Sequence, residues 1–138
     1  MARARSKLSA GTVVLDCEGL VRWCQADQRV TAIVREAQDN DFRVVVSAMT
    51  PIEAQDVRVK SDRLRWHLSR LKVEPVTEDI CARAIELLRD ARLHGHKYAI
   101  DAVVAATALR AVRPVIVVTS DEDDMYRLCG KTVKVVGI

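Results

Sequence analysis

Short runs of β-branched, apolar residues alternate along the chain with longer stretches in which apolar residues recur every three or four positions. The first run, TVVLD, predicts a strand ending at Asp16. A helical stretch follows, in which Val30, Ile33, Val34 and Ala37 of QRVTAIVREAQDN recur at helical spacing. FRVVVSA predicts a second buried strand ending near Ser47, and Pro51 suits the first turn of a helix that carries Glu53. SDRLRWHLSRLK sets Leu64, Leu68 and Leu71 on one face, with a Ser or Asp cap at its start. VEPV predicts a short third strand. Thr77 then caps a long helix with Ile80, Ala84, Leu87, Leu88 and Ala91 inward, stopping around Gly95. YAIDAVVAATALRAV is apolar almost all round and predicts a buried helix, while PVIVVTS and VKVVG predict the fourth and fifth strands.

The strands are continuous apolar runs separated by helices, the pattern of a parallel sheet covered on both faces. The expected fold is therefore a single three-layer α/β domain over residues 12–138. Its mostly parallel sheet would have about five strands. The length fits one domain, and no internal repeat or linker divides it. Residues 1–11 carry Arg3, Arg5 and Lys7 without an apolar segment, so they do not form a secretory signal. They are expected to form a disordered basic arm or to reflect a mis-chosen start; a nucleic-acid-contacting tail is the competing reading.

Aromatic residues make up only 4% of the chain against 49% hydrophobic residues overall, so the core must be built from Val, Leu, Ile and Ala. No apolar run approaches the roughly 20 residues of a membrane helix. Cys17, Cys24, Cys81 and Cys129 form no C-x-x-C pair and sit in apolar contexts. Buried thiols in a reducing cytoplasm are expected, and zinc is not.

The net charge of +3 makes the run Asp121, Glu122, Asp123, Asp124 a local feature, set directly after the fourth strand. Carboxylates that close repel one another unless something positive lies between them. In parallel sheets ligands sit beyond the carboxyl ends of the strands. Asp16 ends the first strand, Glu53 lies one turn into the helix after the second, and Asp121 follows the fourth, which puts all three at one end of the sheet. Asp101 lies inside an apolar helix, where a carboxylate is expensive unless paired or bound to a metal. Two ordinary explanations compete: a first-turn position complementing the helix dipole, or a pair with Lys97 four residues earlier. If a helical turn begins at the acidic run, Asp121 and Asp124 share a face. Glu122 and Asp123 then point elsewhere, although the inferred register leaves Asp123 open as a further ligand.

Carboxylate oxygens are hard ligands that suit Mg2+ or Mn2+. His67, His94 and His96 show no ligand spacing; HGHK reads as helix-end and turn residues. The stretch containing Arg58, Lys60, Arg63, Arg65, Arg70 and Lys72 suits an RNA backbone or an ordinary solvated helix face. Trp23 and Trp66 belong either to the core or to exposed grooves for a partner chain.

VVLD, SAMTPIEA, YAIDAVVAATAL and VVTSDEDDMYRL together resemble, in order, the four acidic motifs of PIN-domain nucleases, most closely the VapC-type toxins of bacterial toxin–antitoxin pairs. The third motif is the most specific and the first the weakest. The resemblance covers residues 12–138. It implies a metal-dependent endoribonuclease using Mg2+ or Mn2+, with Asp16, Glu53, Asp101 and Asp121 as the acidic quartet and Asp124 in support. Thr119 matches a hydrogen-bonding position beside the fourth motif. A cognate antitoxin and a homodimer are the implied protein partners, and RNA the implied substrate. Two positions depart from the pattern. Glu18 stands where a small polar residue is usual and would add a ligand or disturb the site, and Met125 stands where an aromatic is frequent.

Two other classes compete. VVLDCEGL, VVVSA and the late acids are also similar to parts of haloacid-dehalogenase phosphatases, but Glu18 replaces their second Asp and Asp101 is left unexplained. A non-catalytic α/β binding module, its acids merely capping helices, would have no metal affinity.

Overall fold

The computed structural model describes residues 9–138. The basic arm expected over 1–11 thus falls largely outside the described residues, and Gly11 already opens the first strand. The chain runs β1 (Gly11–Leu15), α1 (Cys17–Cys24), α2 (Gln28–Asp39), β2 (Phe42–Ser47), α3 (Thr50–Glu53), α4 (Ser61–Leu68), β3 (Lys72–Glu74), α5 (Glu78–Ala91), α6 (Gly95–Arg110), β4 (Val115–Thr119), α7 (Glu122–Cys129) and β5 (Lys134–Gly137), with a 3-10 turn at Gly130–Thr132. The five strands form one sheet in the order β3-β2-β1-β4-β5, and every pairing is parallel. This is the three-layer α/β domain expected.

Alternation along the strands divides the core in two. Val14, Val45, Val115 and Val117 face α5, α6 and α7 and pack with Ile80, Leu87 and the alanines of α6. Val13, Leu15, Val44, Val46 and Val118 face the opposite side and pack with Leu20, Val21, Val30, Val34 and Leu64. Ala102, Ala105, Ala106 and Ala108 are essentially fully buried; their small side chains let the α6 backbone lie close to the sheet.

Helix starts follow local side-chain chemistry. Asp27 accepts from the Val30 amide at 3.0 Å and Thr77 from the Ile80 amide at 3.2 Å, each satisfying a free helix-end donor. Three boundaries differ from the sequence reading. The long helix ends at Ala91, where Arg92 takes a left-handed conformation with φ 57°. Gly95, expected as a terminator, instead begins α6, so His96 and Lys97 are first-turn residues and not helix-end residues. The third strand sits at Lys72–Glu74, earlier than VEPV, because Pro75 has no N–H for the ladder.

The two tryptophans part company. Trp23 is buried and meets His67 edge-on at 4.7 Å, whereas Trp66 is 53% exposed with the Arg70 guanidinium 4.7 Å from its ring centre. All four cysteines are free; Cys81 is exposed, contrary to the expectation that every thiol is buried. Among the described residues no helix is long and apolar enough to cross a membrane.

Gly11 allows the start of β1 to pass beneath Phe42 and Pro114. A Cβ there would lie 2.5 Å from the Phe42 ring and 2.7 Å from the Pro114 carbonyl oxygen. Gly11→Ala should therefore destabilise the fold by about 1–3 kcal/mol, the usual cost of overpacking. A urea titration checks this, and an unchanged midpoint would contradict it.

Candidate metal centre

The strand order reverses direction at β1: the chain moves outward through β2 and β3, then returns to place β4 on the other side of β1. Such a switch point leaves a crevice beyond the carboxyl ends of the two strands. Asp16 follows β1, and Ser120 and Asp121 follow β4, so both sides of this crevice end in acids.

Asp16 is buried and bound on both oxygens. Its Oδ1 accepts from the Gly19 amide at 2.8 Å, capping α1. Its Oδ2 accepts from the Ser120 amide at 3.2 Å across the crevice. The Thr119 hydroxyl donates to the same carboxylate and accepts from the Asp121 amide at 2.9 Å. One carboxylate thus ties the end of β1 to the end of β4. Burial raises its pKa; these hydrogen bonds oppose that, and Asp121 adds to it. Gly19 is part of the arrangement, because a Cβ there would lie 3.2 Å from the Val118 carbonyl oxygen.

Asp121 occupies the cap position of α7, but its side chain caps nothing, so its carboxylate is not committed to the helix. Glu53 closes the single turn of α3. Its pKa is raised by burial and then by Asp16 and Asp121. Asp101 lies in the second turn of α6, not the first, and Lys97 lies beside Tyr98, 5.2 Å from its ring centre. Among the described residues Asp101 makes no ion pair within 4.0 Å. Both ordinary explanations of its charge are removed. Burial first, then Asp121, Glu53, Asp124 and Asp16, push its pKa up to about 6.

The acids after β4 separate as a helical turn dictates. Asp124 reaches Asp101 electrostatically, whereas Asp123 does not figure among the charges acting on it. The Glu122 side chain turns over Gly137 of β5, leaving no room there for a Cβ. Glu18 also leaves the centre: Arg58 holds it with two bonds of 3.1 and 3.2 Å, and Arg22 adds a third at 3.2 Å. These partners, Arg58 first, keep its carboxyl below the usual range.

Asp16, Glu53, Asp101, Asp121 and Asp124 thus act on one another electrostatically, while Glu18 is engaged by Arg58 and Arg22 and Glu122 lies against Gly137. The carboxylates stand apart: among the described residues no three Asp, Glu, His or Cys side chains are placed so that they could hold an ion as they stand. The donor set still fits a hard divalent cation. It is carboxylate only, among the described residues no cation acts on Asp16, Glu53 or Asp101, and carboxylates of this kind can close on an ion by side-chain rotation.

Some contributors escaped the sequence reading. The Ser120 amide and Gly19 act through the backbone, and only the D-x-x-G spacing of a helix cap hints at the second. The Thr50 hydroxyl, at the start of α3, is fully buried with no hydrogen-bond partner. The basic stretch is largely engaged locally. Arg58 binds Glu18 and Asp56, Arg65 binds Asp62, and Arg63 donates to the Cys24 carbonyl. Lys60 and Lys72 are exposed.

Comparison with known proteins agrees with this geometry. The family model of the PIN domain matches residues 13–131, and the chain belongs to this family of nucleases. Solved structures with a similar fold include VapBC2 from Rickettsia felis bound to a DNA fragment from their promoter. That match has 14% identity and a TM-score of 0.67, and covers 92% of this chain and 98% of that one. A toxin–antitoxin complex from Klebsiella pneumoniae matches with 18% identity and a TM-score of 0.68, over 91% of this chain and 99% of that one. FitAB bound to an IR36 DNA fragment matches with 21% identity and a TM-score of 0.63, over 91% and 94%. At these identities the likeness is one of fold. No curated protein gives a significant match.

The raised pKa of Asp101 has a signed consequence. Between its ordinary value of 3.8 and about 6 the folded state holds a proton that the unfolded state has lost. Stability of the metal-free protein should therefore fall as pH rises through that window and stay low above it. Asp101→Asn should flatten this dependence and melt above the wild type at pH 7.5. Thermal melts of both proteins in chelator check it; a wild type that gains stability from pH 4.5 to 7 would contradict it.

Proposed function

We propose that the protein is a divalent-metal-dependent endoribonuclease, the toxin of a toxin–antitoxin pair. The observation that carries this reading is Asp101, a partly buried carboxylate on a largely apolar helix, with no cationic partner among the described residues and four other acids acting on it. That charge pattern suits a bound cation, and PIN-domain membership supports phosphodiester hydrolysis as the use.

Asp16, Asp101 and Asp121, with Glu53 and Asp124, would hold Mg2+ or Mn2+. When bound, such an ion supplies Lewis acidity for the phosphate and lowers the pKa of water for in-line attack. The chain's own residues set the geometry. The Gly19 and Ser120 amides hold Asp16 in one orientation, and a carboxylate so bound keeps further acceptor capacity for an ion. Thr119 couples Asp16 to the Asp121 backbone, so β1 and β4 present their acids as a unit. The amino-terminal ends of α1 and α7 face the same crevice and favour anionic groups there. The phosphatase alternative loses its acid at position 18, because Glu18 is committed to Arg58 and Arg22.

Lys60, Lys72 and the exposed faces of the neighbouring arginines suit an RNA backbone. The fold neighbours are toxin–antitoxin complexes, which supports an antitoxin as partner, and the exposed Trp66 is suited to an interface with a second copy or that partner. Sedimentation showing monomer at all concentrations would remove the homodimer from this reading.

The enzyme should cleave single-stranded RNA with Mg2+ or Mn2+ and leave a small phosphomonoester intact. Asp101→Asn should lower the rate at least about a hundredfold, the scale on which a lost transition-state electrostatic contact acts. It should also blunt the rise in melting temperature that the ion gives the wild type. An active Asp101→Asn protein, or hydrolysis of the phosphomonoester instead of RNA, would overturn the proposal.

A further inference from the structure

Glu53 stands on the least self-supporting element near the centre. A single helical turn fixes few hydrogen bonds for the backbone it orders, and α3 is only Thr50–Glu53, with no side-chain cap at its start. After Ala54 the chain runs without helix or strand to Lys60. Val57 in this segment is fully exposed and Ile52 is 68% exposed, so little apolar burial holds it. Ala54 is buried, and Val59 packs partly against the core.

The polar tie between this segment and the body of the domain is Arg58. Its guanidinium makes a two-bond fork to Glu18 in the first turn of α1, across 40 positions of sequence. The same group reaches back to Asp56 at 3.0 Å, and its backbone amide donates to that carboxylate at 2.8 Å. Glu18 is steadied from its other side by Arg22. Isolated surface ion pairs contribute little, but a bidentate Arg–carboxylate pair inside a network is the exception. Glu18 is two residues from Asp16, so the fork anchors the Glu53 segment to the helix whose start holds the central carboxylate.

We propose that Glu18 and Arg58 form a positioning clasp, fixing residues 54–60 and thereby the direction of Glu53 toward the acidic centre. Glu18 is on this account an anchor, not a metal ligand, and Arg58 is a positioning residue, not a substrate contact. The catalytic part of the inference rests on the nuclease reading; the structural part does not.

Three measurements on the full chain test it, with Arg58→Gln, Arg58→Lys, Glu18→Gln and the double variant Arg58→Gln/Glu18→Gln. Amide hydrogen exchange over residues 52–60 should accelerate at least about fivefold in each Gln variant, the signature of local opening. The double variant should exchange no faster than either single one, because both remove the same tie. Mn2+ affinity should weaken in Glu18→Gln and also in Arg58→Gln. Removal of a nearby cation would by itself tighten Mn2+ binding, so weakening in Arg58→Gln is a sign that only lost positioning produces. In RNA cleavage kcat should fall about 10- to 100-fold with KM little changed, the scale of a small misplacement of a reacting group. Arg58→Lys should recover only part of each effect, since an ammonium cannot make the fork. Unchanged exchange would overturn the clasp. So would weaker Mn2+ binding in Glu18→Gln alone, which would make Glu18 a ligand, or a raised KM in Arg58→Gln alone, which would make Arg58 a substrate contact. If the wild type cleaves no RNA while exchange and Mn2+ affinity change as expected, the clasp stands and the nuclease reading fails.

Discussion

Repulsion among the carboxylates at the end of β1 and β4 is the constraint on which the site depends. Asp16, Glu53 and Asp101 all have raised pKa values; burial is the main cause, other acids add to it, and among the described residues no cation acts against it. Partial compensation comes from backbone dipoles: the Gly19 and Ser120 amides on Asp16, and the helix starts that follow Asp16 and Asp121. These donors fix orientation, but they leave Asp101, on a different helix, without a polar partner. The fold tolerates that charge because the hydrophobic layer on one side of the sheet, built from α5, α6, α7 and the inward valines of β1, β2 and β4, holds α6 in place.

The carriers of these acids differ in how many contacts hold them. Asp16, Thr119 and Asp121 lie at the ends of the two central strands and are tied together by hydrogen bonds. Glu53 differs, since it hangs from a one-turn helix followed by an irregular segment. The ion pairs of Arg58 then have a role that their exposure alone would not suggest. They connect the weakest carrier of an acid to the strongest one, through the first turn of α1.

Much of this was readable from the chain. Buried parallel strands announce themselves as short β-branched runs, so β1, β2, β4 and β5 are legible within a residue or two, and with them the acids that follow β1, β2 and β4. Asp101 was conspicuous because a carboxylate amid Ile100, Ala102, Val103 and Val104 violates the apolar pattern. Helical spacing puts Asp124 on the face of Asp121 but leaves Asp123 open. What escaped depends on contacts between distant positions or on backbone detail. Gly95 looks like a terminator by type, but Arg92 took the left-handed turn three residues earlier, and that shift moved Asp101 into the second turn of its helix. Glu18 seemed a threat to the metal geometry because its partner, Arg58, lies 40 positions away. Trp23 and Trp66 were indistinguishable by type; only packing put one in the core and the other on the surface.

The central claim is that these acids are kept together for a cation. Diffraction at the manganese absorption edge from crystals equilibrated with Mn2+ tests it most directly, because the anomalous signal locates the ion independently of any catalytic assay. The account predicts a peak beyond the ends of β1 and β4, with carboxylate oxygens of Asp16, Asp101 and Asp121 at about 2.1 Å, the usual distance for a small hard divalent ion. A peak bounded by other residues, or none at saturating Mn2+, would contradict it.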